Sequence, residues 1–282
     1  MKKIICVFVF FVLLADLCSA GVSVIGGLTR EKSVQPGEKF EGTINLENTG
    51  ETPCQVTAYQ TDYLFYADGS NLYGEPGSTT RSNADWFTIS PKRLTIPPGE
   101  AASVHYSGQV PEIRELASIS DDLQLLDNPN LVGTYWSMVM VEPVPETDLE
   151  AVEGEAGKVT FGIQTKVRYG IQIITNIGDT GVRNIKFLDK RLANREGQTT
   201  LQLEIENIGE RWLSPTVWVE LYDDGGMQVG RFEGGKKRIY PDCSVSHEVV
   251  LSGVPKGNYK ALVVLDNGDE YVFGAKYDLG ME

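Results

Sequence analysis

The run from Val159 to Ile173 places Val159, Phe161, Ile163, Val167, Tyr169, Ile171 and Ile173 in phase on a two-residue period. That pattern predicts a β-strand about twice the usual length. Ahead of it, the acidic, glycine-containing stretch 146–157 holds too little apolar surface to pack. A long strand fed by a loose loop can end as an exposed edge, and exposed edges pair with other chains. The expectation is a protein that works by strand pairing and is not an enzyme.

The first twenty residues carry Lys2 and Lys3, an apolar run from Ile4 to Leu14, and a small-residue exit at Ser19-Ala20. They predict a secretory signal peptide over 1–20. The apolar run is shorter than the ~20 residues that span a bilayer. Asp16-Leu17 stands before Cys18 where a lipoprotein signal has small residues. Nothing later resembles a transmembrane helix, so the mature chain is expected without a transmembrane segment, exported to the periplasm or cell envelope. The whole sequence has net charge −14, and without the leader 23 basic face 38 acidic residues, a net charge of −15. Nucleic acid is therefore not an expected partner.

Thirty glycines and thirteen prolines punctuate short apolar runs, which favours an all-β chain. Two stretches read alike. Phe40–Leu46 is followed by Glu47-Asn-Thr-Gly-Glu51 and a strand near Val56–Tyr66, while Leu201–Ile205 is followed by Glu206-Asn-Ile-Gly-Glu210 and a strand at Val217–Tyr222. Each continues through a proline-marked turn into another strand. The asparagines and glycines are expected to serve turns that need positive φ. The repeat predicts two tandem immunoglobulin-like β-sandwiches, over 21–176 and 182–282, joined by the glycine-rich break Asn176–Gly181 with freedom to hinge. Glu112–Leu126 has helical spacing between Pro111 and Pro129. Cys54 and Cys243 remain after leader removal, and spacing leaves open whether they pair or stay as buried thiols.

The residues that carry catalysis are sparse. His105 and His247 are the only histidines, each within an alternating strand pattern and without a nearby Cys or second His. No Gly-x-Ser-x-Gly elbow occurs. Asp223-Asp-Gly-Gly226 and Asp266-Asn-Gly-Asp269 lack the terminal Glu of a calcium loop and read as hairpin turns. Neither metal nor cofactor is expected. Trp136 and Trp218 fall inside alternating strands and are expected in the core, leaving Trp86 and Trp212 as candidates for ligand stacking.

Three segments carry a family resemblance: Phe87–Glu100, with its Ser-Pro turn, leucine strand and Pro-Gly turn; Gly133–Pro143, an aromatic strand ending at proline; and Val159–Ile173. Together they resemble the amino-terminal domain of the periplasmic pilus chaperones, over roughly Gly21–Ile173. The resemblance implies that two basic residues hold a client's terminal carboxylate, and the matching positions here are Arg30 and Arg168. It also implies that Val159, Phe161 and Ile163 plug the groove of a subunit with an incomplete immunoglobulin-like fold or another extended peptide. Burying three such side chains contributes roughly 5–9 kcal/mol before ordering costs. On residues alone, the same three could complete the domain's own sheet, with both arginines as solvated charges. The alternative is an envelope adaptor or adhesin-like module bridging surface proteins or cell wall. The tail of the pattern departs from the family, since Arg168 is followed by Tyr-Gly-Ile-Gln.

Overall fold

The computed structural model describes residues 21–112, 131–144, 167–195 and 197–281. The expected signal peptide, most of the helical stretch after Glu112, the acidic run and the segment bearing Val159, Phe161 and Ile163 lie outside these residues.

The chain is all-β, with one 3-10 turn, Ala84–Trp86, among the described residues, and its strands form two sandwiches. The first uses β1 (Ser23–Ile25), β2 (Thr29–Val34), β3 (Lys39–Glu47), β4 (Cys54–Phe65), β5 (Asn71–Gly74), β6 (Phe87–Ser90), β7 (Arg93–Ile96), β8 (Ala101–Gln109), β9 (Gly133–Pro143) and β10 (Tyr169–Ile177). One sheet runs β1-β3-β8-β6, and the other runs β2-β10-β9-β4-β5 with β7 also on β4. The second sandwich uses β11 (Ile185–Arg195), β12 (Gln198–Asn207), β13 (Thr216–Tyr222), β14 (Gln228–Lys236), β15 (Ser244–Val250), β16 (Gly257–Asp266) and β17 (Val272–Met281). Its sheets are β11-β12-β15 and β14-β13-β16-β17. No helix among the described residues is long and apolar enough to cross a membrane.

Period-two alternation is what builds these sheets. Phe40, Ile44 and Leu46 of β3 and Leu201, Leu203 and Ile205 of β12 are buried, while most of the intervening residues are exposed or half-buried. β9 departs from alternation, being buried from Gly133 through Val141. Its Tyr135, Val139 and Val141 enter the first core, while Trp136 on the opposite face joins the core of the second sandwich together with Ile174. A strand covered on both faces reads as a continuous apolar run.

The first strand of the fold is broken in two. β1 pairs antiparallel with β3 in one sheet, and β2 pairs parallel with β10 in the other. Between them Gly26 adopts φ +90°, a conformation that favours glycine, so the chain crosses there from sheet to sheet.

The repeated asparagine motif does something other than form positive-φ turns. Neither asparagine, nor Gly50 nor Gly209, is among the residues with positive φ. Instead both asparagine side chains are fully buried and make the same three bonds. Asn48 Nδ2 donates to Thr52 O (2.7 Å) and Ile96 O (2.8 Å), and its Oδ1 accepts from Gly50 N (2.9 Å). Asn207 Nδ2 donates to Arg211 O (2.8 Å) and Ile239 O (3.0 Å), and its Oδ1 accepts from Gly209 N (2.9 Å). Each amide thus ties its own turn to the proline-marked turn across the sandwich. Gly209 is required by space, since a Cβ there would lie 2.5 Å from Val182 O.

One further expectation is corrected. Trp218 sits on the outward face of β13, half-exposed, with the Arg231 guanidinium 4.1 Å from its ring centre. The glycine-rich break carries bonds at Thr180 and Gly178. Thr180 Oγ1 donates to Ile177 O and accepts from Gly133 N, and Arg211 Nη1 donates to Gly178 O at 2.7 Å. Cys54 and Cys243 are not joined, and burial pushes the Cys243 thiol up to about 12.

Candidate strand-pairing site

The register of β10 defines the site. On one side β9 pairs along all of Tyr169–Ile177, from Tyr169↔Val141 to Ile177↔Gly133. On the other side β2 begins only at Gln172↔Thr29, where Gln172 N donates to Leu28 O (2.8 Å). Upstream of that bond the chain has already crossed to the other sheet through Gly26-Gly27. Among the described residues no strand pairs with Tyr169, Gly170 or Ile171 on that side. Gly170 shares the parity of Gln172, so its N–H and C=O point to the vacant side.

Parity also sorts the side chains. Ile171 and Ile173 are buried in the first core and Tyr169 packs against it. The opposite face carries Arg168, Gly170, Gln172 and Ile174. Gly170 pairs with Met140, and a Cβ on it would overlap the Met138 methyl, so the two methionines of β9 spread across the glycine. Met138 and Met140 are themselves buried. At the upper rim, Tyr59 Oη donates to Glu142 Oε2 (3.0 Å) and Arg168 Nη2 donates to Glu142 Oε1 (3.3 Å). Burial first, and the bond to Glu142 second, hold the Tyr59 phenol above its usual range.

Arg30 leaves β2 on the inward side, paired with Ile173, and its Nη1 donates to Gly27 O and Thr29 O. Its charge opposes the upward shift that burial gives the Tyr106 phenol. Arg168 leaves on the opposite face and is ion-paired with Glu142, its side chain 55% exposed. The two arginines named by the resemblance therefore flank the vacant edge from opposite faces of the sheet and do not share one seat.

The lower half of the same face is closed by the second sandwich. Trp136 stacks on Tyr240 with ring centres 4.8 Å apart, and Tyr240 Oη donates to Gln172 Oε1. Glu31 Oε1 accepts from Trp212 Nε1 (2.8 Å) and Asn176 Nδ2 (2.7 Å), and its Oε2 lies 3.4 Å from Arg238 Nη1. Of the two tryptophans considered for ligand stacking, Trp212 has Arg238 4.0 Å over its ring and Trp86 packs on Tyr135 at 4.7 Å.

No family model and no curated protein matches this sequence. In backbone course the chain is similar to chaperones of fimbriae. A chain from the chaperone–tip adhesin complex of CFA/I fimbriae biogenesis matches at 13% identity and TM-score 0.48, over 93% of this chain and 100% of that one. The class 5 fimbriae chaperone CfaA matches at 11% identity and TM-score 0.46, over 91% and 98%. A chain from the CsuC–CsuE chaperone–tip adhesion subunit complex of Acinetobacter baumannii matches at 12% and 0.42, over 90% and 97%.

Sequence reasoning did not reach Tyr59, Glu142, Gly170 or the Glu31–Trp212 contact. Glu142 stands directly before the proline that ends the aromatic strand, and an acidic residue at that rim was the one available signal. The others are products of register. Among the described residues no group of three or more His, Cys, Asp or Glu is placed to hold a metal.

Proposed function

We propose that this is an exported, non-enzymatic chaperone-like protein of the periplasm or cell envelope. It binds a surface or pilus-type subunit, with an incomplete immunoglobulin-like fold or another extended segment, by pairing it along β10. The observation that carries this reading is the vacancy beside Tyr169–Ile171, where Gly170 offers a backbone donor and acceptor with no partner in the described chain. An added strand supplies main-chain bonds there, and alternate side chains supply specificity. In this reading Val159, Phe161 and Ile163 extend the pairing surface upstream and enter the client's groove. Arg168 receives the client's carboxylate in exchange for Glu142, with Arg30 supporting the edge from the other face.

The test is co-purification of the exported chain with a co-expressed pilin-like subunit. Phe161→Asp is expected to abolish capture with the far-ultraviolet spectrum and unfolding midpoint unchanged. Undiminished capture by that variant would sink the reading.

A further inference from the structure

Where the second sandwich meets the connector, a pocket of about 250 Å³ carries three cationic side chains, Arg183, Arg211 and Lys236, against one carboxylate, Asp269. That carboxylate is already engaged. Its Oδ2 accepts from Asn267 Nδ2 (2.8 Å), its Oδ1 accepts from Tyr271 N (2.8 Å), and Arg183 Nε stands 3.8 Å away. Asp179, whose side chain is 83% exposed, also pairs with Arg183; burial lowers the Arg183 guanidinium, and the bond to Asp179 together with the charges of Asp179, Tyr271 and Asp269 more than offsets it, holding the group above its usual range. Arg183 is 12% exposed and lies over the Tyr271 ring, so its charge is set within protein.

Arg211 spends one nitrogen on Gly178 O. A guanidinium has five N–H donors in a fixed fork, so each arginine keeps donors beyond those used to hold the fold. The Arg211 guanidinium is held below its usual range by burial first and by the nearby Arg183 charge second. Asp179 and Asp269 answer the Arg183 charge, while among the described residues no ion pair engages Arg211 or Lys236. A negative group bound between the three cations would supply the counter-charge that Arg211 and Lys236 lack. The volume suits a compact group and is smaller than the cavities that enclose drug-sized ligands.

We propose that this pocket binds a compact oxyanion, a carboxylate or a phosphate group, held by Arg183, Arg211 and Lys236. Its walls belong to the junction between the sandwiches. Arg211 anchors the connector at Gly178, and Trp212, which also lines the pocket, holds Glu31 of β2.

The experiment is calorimetric titration of the full chain at constant ionic strength with three probes. These are inorganic phosphate, an N-acetylated peptide with a free α-carboxylate, and the same peptide amidated. Saturable one-site binding of phosphate, of the free-acid peptide, or of both is expected, and identifies which oxyanion the pocket takes. The amidated peptide is expected not to bind. Arg211→Gln and Lys236→Gln are expected to weaken binding about tenfold, the factor of one charge-assisted hydrogen bond, while Arg93→Gln, at an exposed position of β7 in the first sandwich, leaves it unchanged. Lys236 is exposed, so its variant keeps the test independent of folding. No saturable heat from either oxyanion, binding that ignores Lys236→Gln, or equal weakening by Arg93→Gln would each overturn the proposal.

Discussion

At the residue scale, the two buried asparagines bear most directly on stability. Removing the Asn207 side chain takes the partner from Gly209 N and Arg211 O, and takes one of two bonds from Ile239 O, which also accepts from Leu213 N (2.9 Å), beside a side chain that is itself fully buried. Asn207→Ala is expected to lower the unfolding free energy by about 2–4 kcal/mol, the range for orphaned buried polar groups, read by urea titration. His247 makes a different demand. It is fully buried, with Nδ1 on Gly234 O (3.0 Å) and Nε2 without a partner, and burial holds its pKa below the usual value. The folded state therefore binds the proton less readily than the unfolded state does. The stability contributed by the neutral ring is fully present above the unfolded value of about 6.5 and is lost as pH falls from there through the lowered folded value. Unfolding free energies measured between neutral and mildly acidic pH are expected to fall more steeply for the native chain than for His247→Gln. Equal slopes would remove the histidine from the account.

At the element scale, β10 is where local pattern and long-range register divide the work. Its alternation was legible because Tyr169, Ile171 and Ile173 all feed one core. The same holds for β3, β4, β12, β13 and β15, which lie where alternating residues foretell them. What alternation cannot carry is which strand lies alongside. Among the described residues the side beside Gly170 is unpaired because β2 starts at Thr29, and that follows from a crossing at Gly26 that no periodicity marks. Trp218 was misplaced for a related reason, since a half-exposed sheet face also alternates and leaves the side of a large aromatic undetermined. The ion pair at the rim offers a test. Arg168 is more than half exposed, so Glu142→Gln is expected to cost less than about 1 kcal/mol of stability. In the proposed mode it also frees Arg168 and is expected to tighten client capture, measured by competition against the native chain. Weaker capture would show that Glu142 takes part in binding and does not merely occupy the arginine.

At the scale of the whole molecule, the connector and the Glu31 contacts make the two sandwiches a joined pair. Both Gly133 and Gly181 have positive φ, and a Cβ on Gly181 would lie 2.6 Å from Gly133 Cα, so the backbones meet with no room for side chains. Glu31→Ala removes the acceptor for Trp212 and Asn176 and the counter-charge of Arg238. It is expected to raise the radius of gyration measured by small-angle scattering. An unchanged value would place the restraint in the glycine contact and the Trp136–Tyr240 stack. The crossing at Gly26 has a consequence of its own. Because one continuous segment fills the lower berth beside β10 and, among the described residues, nothing fills the upper one, the place where it turns sets the length of the berth. Each further residue of pairing would shorten the berth by about 3.3 Å, so a guest strand is measured by a glycine it never has to touch.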